Sequence, residues 1–454
     1  MQFLFFRDFL GTYQQTHSLI CILQISRFFD AAFAVIWGKV MTPVMNDNNT
    51  MTFFIPHPPR AKAPFHVPES HTLHVCPPAC ARRHSLGSIK HGTADYTSCL
   101  NLSESDVALG DYELIIADAI EDLLNVLDPQ PRAFNIYVNC IDDFLGTDEE
   151  ALLAGLRSRF PDKYFSICHR NPIGITEDIC TMPRLKIMAS HYALLERSEK
   201  KENSVNLIGN IAELRHGSEL FTVLEKWGVE KINCPEDMKT FDDFQSMAAA
   251  RLNIILSPME RYSAEQMEKK LGIQWFDMPV LYSVNEVEKE YASLAEILHG
   301  EKSFCDDKKT TALEVVEKCR REVKDMPILV DSSAMGLPFS AARALLEYGF
   351  NVRQVLLMPE FRIEFDSEDK KWIKENHPEV KIERFNGYNE EEVEYLKKDY
   401  LMIGYDVAFS VRAEHVAKII RDEVPSGYEG ICTLMEKMIA ASKEVHQWKR
   451  GINQ

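Results

Sequence analysis

The chain has 454 residues, 45% hydrophobic and 26% charged, with 51 Lys and Arg against 69 Asp and Glu for a formal net charge of -18. At roughly 100–200 residues per domain this length predicts two to four domains, and the composition excludes a mainly disordered chain. The acidic balance argues against a nucleic-acid partner, and 11 cysteines, sparse and odd in number, exclude a disulfide scaffold and predict a reducing, cytoplasmic setting.

Residues 1–50 are apolar but interrupted by Arg7, Asp8, Arg27, Asp30 and Lys39. No stretch there reaches the ~20 uncharged apolar residues of a spanning helix, and neither flank fits a secretory signal. The expectation is an N-terminal extension outside the native start, or an accessory amphipathic segment, and no membrane partner. From Met51 to about His74 the Pro- and His-rich run PHPPRAKAPFHVPESH predicts an extended arm.

Beyond the arm, strands are predicted at Asn135–Asn139, Tyr164–Ile167, Val205–Ile208, Lys231–Asn233, Asn253–Leu256, Gln274–Phe276, Ile328–Val330, Val352–Leu357 and Tyr400–Ile403. Helical patterns lie between them at Asp111–Leu127, Glu149–Phe160, Ala212–Trp227, Ser263–Leu271 and Pro338–Tyr348. This alternation predicts α/β architecture: three doubly wound, Rossmann-like domains with mostly parallel sheets. Charged linkers at Glu196–Asn203 and Glu301–Thr311 set the domains at about 51–200, 201–300 and 312–454. In such sheets ligands bind beyond the carboxyl ends of the strands.

Cysteines lie at those ends. Cys140 follows NIYVN, Cys168 falls in YFSIC, Cys234 follows KIN, and Cys76 and Cys80 form CPPAC after the apolar stretch LHV. A single strand-end cysteine usually packs as a small hydrophobe. Several together point to a soft metal, with iron-sulfur favoured over zinc because no second C-x2-C or H-x3-H completes a zinc site. Ser103 or Ser105 in LSESD suits a helix cap, which accounts for Glu104 and Asp106 without catalysis. SLGSIKHG lacks both phosphate-loop patterns, so the chain is not expected to bind ATP itself.

HVCPPACARR, NLSESDVALGDYELIIADAIEDLL and FNIYVNCIDDFLGTDEEAL, in that order, resemble the nitrogenase component 1 family, which includes nitrogenase α and β subunits, cofactor-assembly scaffolds and dark-operative tetrapyrrole reductases. Weaker similarity continues through VNLIGNIAELRHGSELFTVLEKWGVE, AAARLNIILSP and DYLMIGYDVAFSVRAEH to VPSGYEGI, so the resemblance covers most of residues 51–454. It implies that Cys80 and Cys140 hold an iron-sulfur cluster at a subunit interface, with Cys76, standing where the family usually has Gly, as an added ligand. The family's earlier cluster cysteine has no counterpart in FFIPHPPRAKA, which implies a [4Fe-4S] cluster instead of a nitrogenase P-cluster, with a fourth ligand from another group or subunit.

The resemblance also makes Cys168, His169 and Arg170 candidates for lining a substrate or cofactor cavity. Cys234 lies near the cofactor-holding cysteine of the α subunit, but its surroundings, CPEDMKTFDDF, differ, so a place in the cavity is carried over and a ligand role is not. Neither His415 nor His446 sits in the family's cofactor histidine motif, and a second metallocofactor is left unidentified. The implied function is an oxidoreductase subunit fed with electrons by an iron-protein ATPase, working as a homodimer or beside a second component 1-like subunit. A scaffold for metallocofactor or tetrapyrrole maturation and a non-catalytic sensor or binding module on the same fold are the alternatives.

Overall fold

The computed structural model of the protein describes residues 65–448 except 110–111, 171–181, 210–216, 302–305, 359–363, 386–392, 394–395, 397 and 421–423, together with 44–45 and 51–52. The chain divides into two units. In one, Met1–Ile55 with Trp448–Gln454, the described residues are Trp448 and an antiparallel pair of short strands, β1 (Val44–Met45) and β2 (Met51–Thr52). The rest of the expected extension, and most of the expected arm, lie outside the described residues.

The other unit, Pro56–Gln447, carries three sheets, and every strand pair in them is parallel. The first runs β4-β3-β5-β6, with β3 at Ser70–Cys76, β4 at Thr97–Asn101, β5 at Ala133–Asn139 and β6 at Tyr164–Arg170. The second runs β10-β9-β7-β8, from β7 (Ser204–Ile208), β8 (Lys231–Asn233), β9 (Leu252–Ile255) and β10 (Gln274–Asp277). The third runs β13-β12-β11-β14-β15, from β11 (Ile328–Asp331), β12 (Val352–Leu357), β13 (Lys381–Arg384), β14 (Leu401–Ile403) and β15 (His415–Ala417). Each sheet starts near its middle and winds outward both ways, leaving a switch point where two connections diverge from neighbouring carboxyl ends. These crevices lie between β3 and β5, β7 and β9, and β11 and β14.

The first sheet shows how alternation makes a two-sided layer. Leu73 and Val75 of β3, Phe134, Ile136 and Val138 of β5 and Phe165 of β6 are buried in one apolar cluster with Ile116 and Ile120 of the helix Tyr112–Val126 and Leu152 and Leu156 of the helix Glu149–Arg159. Burying each such side chain contributes about 1.5–3 kcal/mol. Successive strand residues point to opposite faces, so the intervening residues form a second, polar face. Across it, Cys99, His74, Tyr137 and Cys168 stand in register. Most of that face is buried too, and two polar pairs form on it: Ser166 Oγ donates to Asn135 Oδ1 at 2.8 Å, and Tyr137 Oη and His191 Nε2 hydrogen-bond at 3.3 Å.

The second and third sheets share one continuous core, running from Val205 and Leu252 through Ile328 and Val352 to Leu434 and Met438. The linker at Glu196–Asn203 is docked, since Lys201 Nζ donates to Ala248 O at 3.1 Å and Gln245 Oε1 accepts from Glu196 N at 3.0 Å. One difference from the sequence reading is clear: Ser70–Cys76, taken in part for an arm, is an inner strand of the first sheet. The helix expected from Ala212 begins at Glu219, after an N-cap at Ser218, and runs to Lys226, while residues 210–216 of the expected stretch lie outside the described residues.

Candidate functional site

The three switch points differ in what fills them. At the second, Gly209 (φ +78°) follows β7 so tightly that an added Cβ would come within 2.9 Å of the Ser257 side chain after β9. At the third, buried Asp331 accepts from Val407 N at 2.9 Å, from Ser333 N at 2.8 Å and from Ser333 Oγ at 2.7 Å, tying the two loops directly together. Burial pushes the Asp331 carboxyl up to about 7 against the pull of those donors. The third crevice is thus closed by the protein's own groups, and at the second the residues after Gly209, 210–216, lie outside the described residues.

The first switch point carries thiols instead. Cys76 is the last residue of β3 and only 1% exposed, its carbonyl accepting from Leu102 N at 3.1 Å. Two prolines, Pro77 and Pro78, then start the helix Pro78–His91 without any hydrogen-bonding side-chain cap or first-turn acid. Proline suits that position because the first helical N–H has no partner within the helix. Cys80, half-buried, sits in that first turn, where the positive end of the helix dipole favours added negative charge, a metal-bound thiolate included. On the neighbouring strand, Cys140 follows β5 directly and is also half-buried, on a turn capped by Asn139, whose side chain accepts from Ile141 N at 3.1 Å. None of the three is in a disulfide.

Among the described residues, no group of three or more His, Cys, Asp and Glu could hold a single metal ion. The thiols therefore form a loose set of soft donors on one edge, not a preformed ion site. Soft thiol donors at the carboxyl ends of two neighbouring strands are the ligand type of an iron-sulfur cluster, whose ligands attach to different irons.

Cys168 and His169 line a cavity of about 410 Å³ between β6, the helix Met182–Tyr192 and the helix Arg261–Leu271, which follows β9 of the second sheet. His169 Nε2 lies 3.1 Å from Oδ2 of buried Asp142 and also contacts Glu149 Oε1. That imidazole contact holds the Glu149 carboxyl below its ordinary range. Of Arg170 the backbone alone is described. Cys234 is not among the cavity's lining residues; it lies in the shared core of the second and third sheets, and burial with Glu236 and Asp237 nearby pushes its thiol up to about 12.

Residues that the sequence reading did not single out complete the picture. Glu149, Lys186, Tyr262 and Lys270 line the cavity, Asp142 meets His169 beside it, and His74 stacks on the basic-turn residue His84 with ring centroids 4.2 Å apart. The signal for the polar face was present, since SHTLHVC, AFNIYVN and YFSICHR all alternate polar and apolar residues. Ser103 closes a cap for the helix Glu104–Leu109, donating from its N to Asp106 Oδ2 at 2.7 Å and accepting from Asp106 N at 3.3 Å.

A family model described as nitrogenase component 1 type oxidoreductase matches residues 65–442. Among solved structures, nitrogenase Cp1 at pH 6.5 is similar with a TM-score of 0.61 and 13% identity, covering 83% of this chain and 89% of that one. Nitrogenase Cp1 at pH 5 is similar with a TM-score of 0.56 and 17% identity, covering 83% and 85%. At these identities the likeness is one of fold. No curated protein matches the chain.

Proposed function

The chain belongs to the nitrogenase component 1 type oxidoreductase family, and on that premise we propose that it is a redox subunit holding an iron-sulfur cluster of [4Fe-4S] type at the first switch point. Cys80 and Cys140 are its accessible thiolate ligands and Cys76 is the third, with the fourth ligand coming from a second component 1-like subunit or a second copy of this chain. When bound, such a cluster supplies one-electron storage and transfer. The carrying observation is the placement of Cys76, Cys80 and Cys140 at the carboxyl ends of β3 and β5, on either side of the first switch point.

The protein's residues do the positioning. Pro77 and Pro78 turn the chain so that Cys80 enters the first helical turn, Asn139 fixes the turn that presents Cys140, and the apolar face of the first sheet keeps both strand ends rigid. Electrons come from an ATP-hydrolysing iron protein that docks near this edge, because the chain carries no phosphate-loop motif of its own. Contacts of that transient kind are small and partly polar, and charge steering makes their rates fall with salt.

Stopped-flow reduction of the anaerobic protein by an iron protein, with and without MgATP across a salt series, tests this reading. Reduction that requires MgATP and slows as salt rises supports it. Equal rates without nucleotide point to a ferredoxin-fed reductase, and no reduction at all points to the scaffold or the sensor.

A further inference from the structure

Asn139 ends β5, and only half of its side-chain amide is engaged. Its Oδ1 accepts from Ile141 N at 3.1 Å, capping the short helix Cys140–Leu145. That bond fixes which way round the amide sits, because the NH2 group cannot accept from an N–H. Nδ2 is therefore the other end of the amide; it is buried and has no hydrogen-bond partner among the described residues. The whole residue is 6% exposed, which shields that donor from bulk water. A buried donor left without an acceptor costs about 1–3 kcal/mol, and such groups are rare enough in native structures to call for a functional partner.

Its position narrows what that partner is. β3 and β5 run parallel, with Leu73 beside Ile136, His74 beside Tyr137 and Val75 beside Val138. One step further along the same register sets Cys76 beside Asn139, and strand alternation puts both on the face of His74 and Tyr137. Cys140 is the next residue in the chain. The unpartnered amide thus stands at the first switch point next to two of the three thiols, one across the sheet and one along the backbone. The sulfur of a metal-bound thiolate or of a bridging sulfide carries negative charge and accepts hydrogen bonds, and donors to it are among the groups that set a cluster's potential.

We propose, resting on the cluster reading above, that Asn139 Nδ2 donates a hydrogen bond to sulfur of the iron-sulfur cluster, which makes Asn139 a positioning residue that tunes the centre without being a ligand. An added electron raises the negative charge on sulfur, so the bond is stronger in the reduced state and the donor raises the midpoint potential. One amide then serves twice: its oxygen holds the turn that presents Cys140, and its nitrogen sets the redox balance. Serine in its place keeps the first role, since a serine hydroxyl caps helices, and loses the second with the amide donor.

The test is a potentiometric titration of the full chain, purified anaerobically with the heavy nitrogen isotope in its asparagine side chains, reduced with dithionite and read by electron paramagnetic resonance. Pulsed measurements on the reduced wild type are expected to show coupling of the cluster to an asparagine side-chain nitrogen, and Asn139→Ser is expected to abolish it while iron and sulfide stay at the wild-type level. At a given potential the variant is expected to be reduced about tenfold less, a midpoint ~59 mV lower for one electron. A role confined to the turn would change stability or iron content and leave the midpoint where it was. A reduced wild-type cluster without that coupling would overturn the proposal whether or not the variant folds, and so would a loaded Asn139→Ser cluster with an unchanged midpoint. Wild-type protein without iron or sulfide would remove the cluster reading and this assignment together, whereas a loaded wild type that fails either readout removes the donor alone.

Discussion

At a strand end a thiol either packs or stays open to chemistry, and its surroundings decide which. Burial pushes Cys234 and Cys319 up to about 12, which leaves both as neutral thiols in the core. Cys80 and Cys140 are half-buried on the first turns beyond β3 and β5. In the native, metal-free chain, alkylation read by mass spectrometry is expected to mark Cys80 and Cys140 ahead of Cys234 and Cys319, and cluster loading is expected to protect the first pair. Loading that leaves Cys80 and Cys140 as reactive as before would remove them as ligands. Cys76, 1% exposed, is the more demanding case. Cys76→Ala is expected to lower bound iron; full iron with a stability loss of about 1 kcal/mol would assign the thiol to packing. The sequence reading singled out Cys76, Cys80, Cys140 and Cys234 and passed over Cys319 on the helix Asp306–Val323; it did not find their difference, because burial depends on which elements cover each thiol.

Alternation along single strands explains both what was legible at the level of elements and what was not. The nine strands expected from apolar runs are all present within a few residues; seven carry buried Val, Ile, Leu or Phe, and Lys231–Asn233 and Gln274–Asp277 carry the partly buried Ile232 and Phe276. The strand Ser70–Cys76 escaped because four of its seven residues, Ser70, His71, Thr72 and His74, are polar, and its buried polar face reads like an arm. Short strands at or near sheet edges, TSCLN, KIER and HVA, escaped for want of a buried run. The polar packing has a consequence in acid. Burial lowers His66, His71 and His191 to about 4, so between pH 6.5 and 4 the unfolded chain binds protons that the folded chain refuses, and stability falls as pH falls through that window. Each histidine withdraws on the order of 2 kcal/mol by pH 5. Asp331 works in the opposite sense: its raised carboxyl makes the third sheet's contribution fall as pH rises from about 4 to 7. Hydrogen exchange at pH 7 and pH 5, corrected for intrinsic rates, is therefore expected to show peptides of β3 and β5 losing protection in acid while those of β11 and β14 hold. Uniform loss would contradict this assignment.

Two helix starts from distant parts of the chain clasp each other. Glu219 accepts from Tyr428 N at 2.9 Å, Glu429 N at 3.0 Å and Tyr291 Oη at 2.7 Å, and Glu429 accepts from Glu219 N at 3.0 Å. Gly427 passes so close that an added Cβ would come within 2.3 Å of Glu219 Oε1. Glu219→Ala leaves three buried donors without their acceptor and is expected to cost about 2–4 kcal/mol in urea unfolding. A cost below about 1 kcal/mol would show that water replaces the carboxylate.

For the whole molecule, fold and family were legible because the order of motifs survives when each one is weak. That Glu149, Lys186 and Lys270 line one cavity was not legible, because Lys186 and Lys270 lie 84 positions apart on helices that follow strands of different sheets. Among the described residues no helix is long and apolar enough to cross a membrane. Three thiolates per chain fall one short of an all-cysteine set, so the loaded protein is expected to sediment as a dimer or larger assembly; a loaded monomer would require every ligand to come from one chain. The central claim, that the first switch point holds an iron-sulfur cluster, is tested most directly by iron and acid-labile sulfide determination with electron paramagnetic resonance on the full chain purified anaerobically. The account expects iron and sulfide in equal amounts and a cluster signal on reduction, both diminished in Cys80→Ala and Cys140→Ala. A folded wild-type protein without iron or sulfide, or variants with undiminished iron and an unchanged signal, would contradict it.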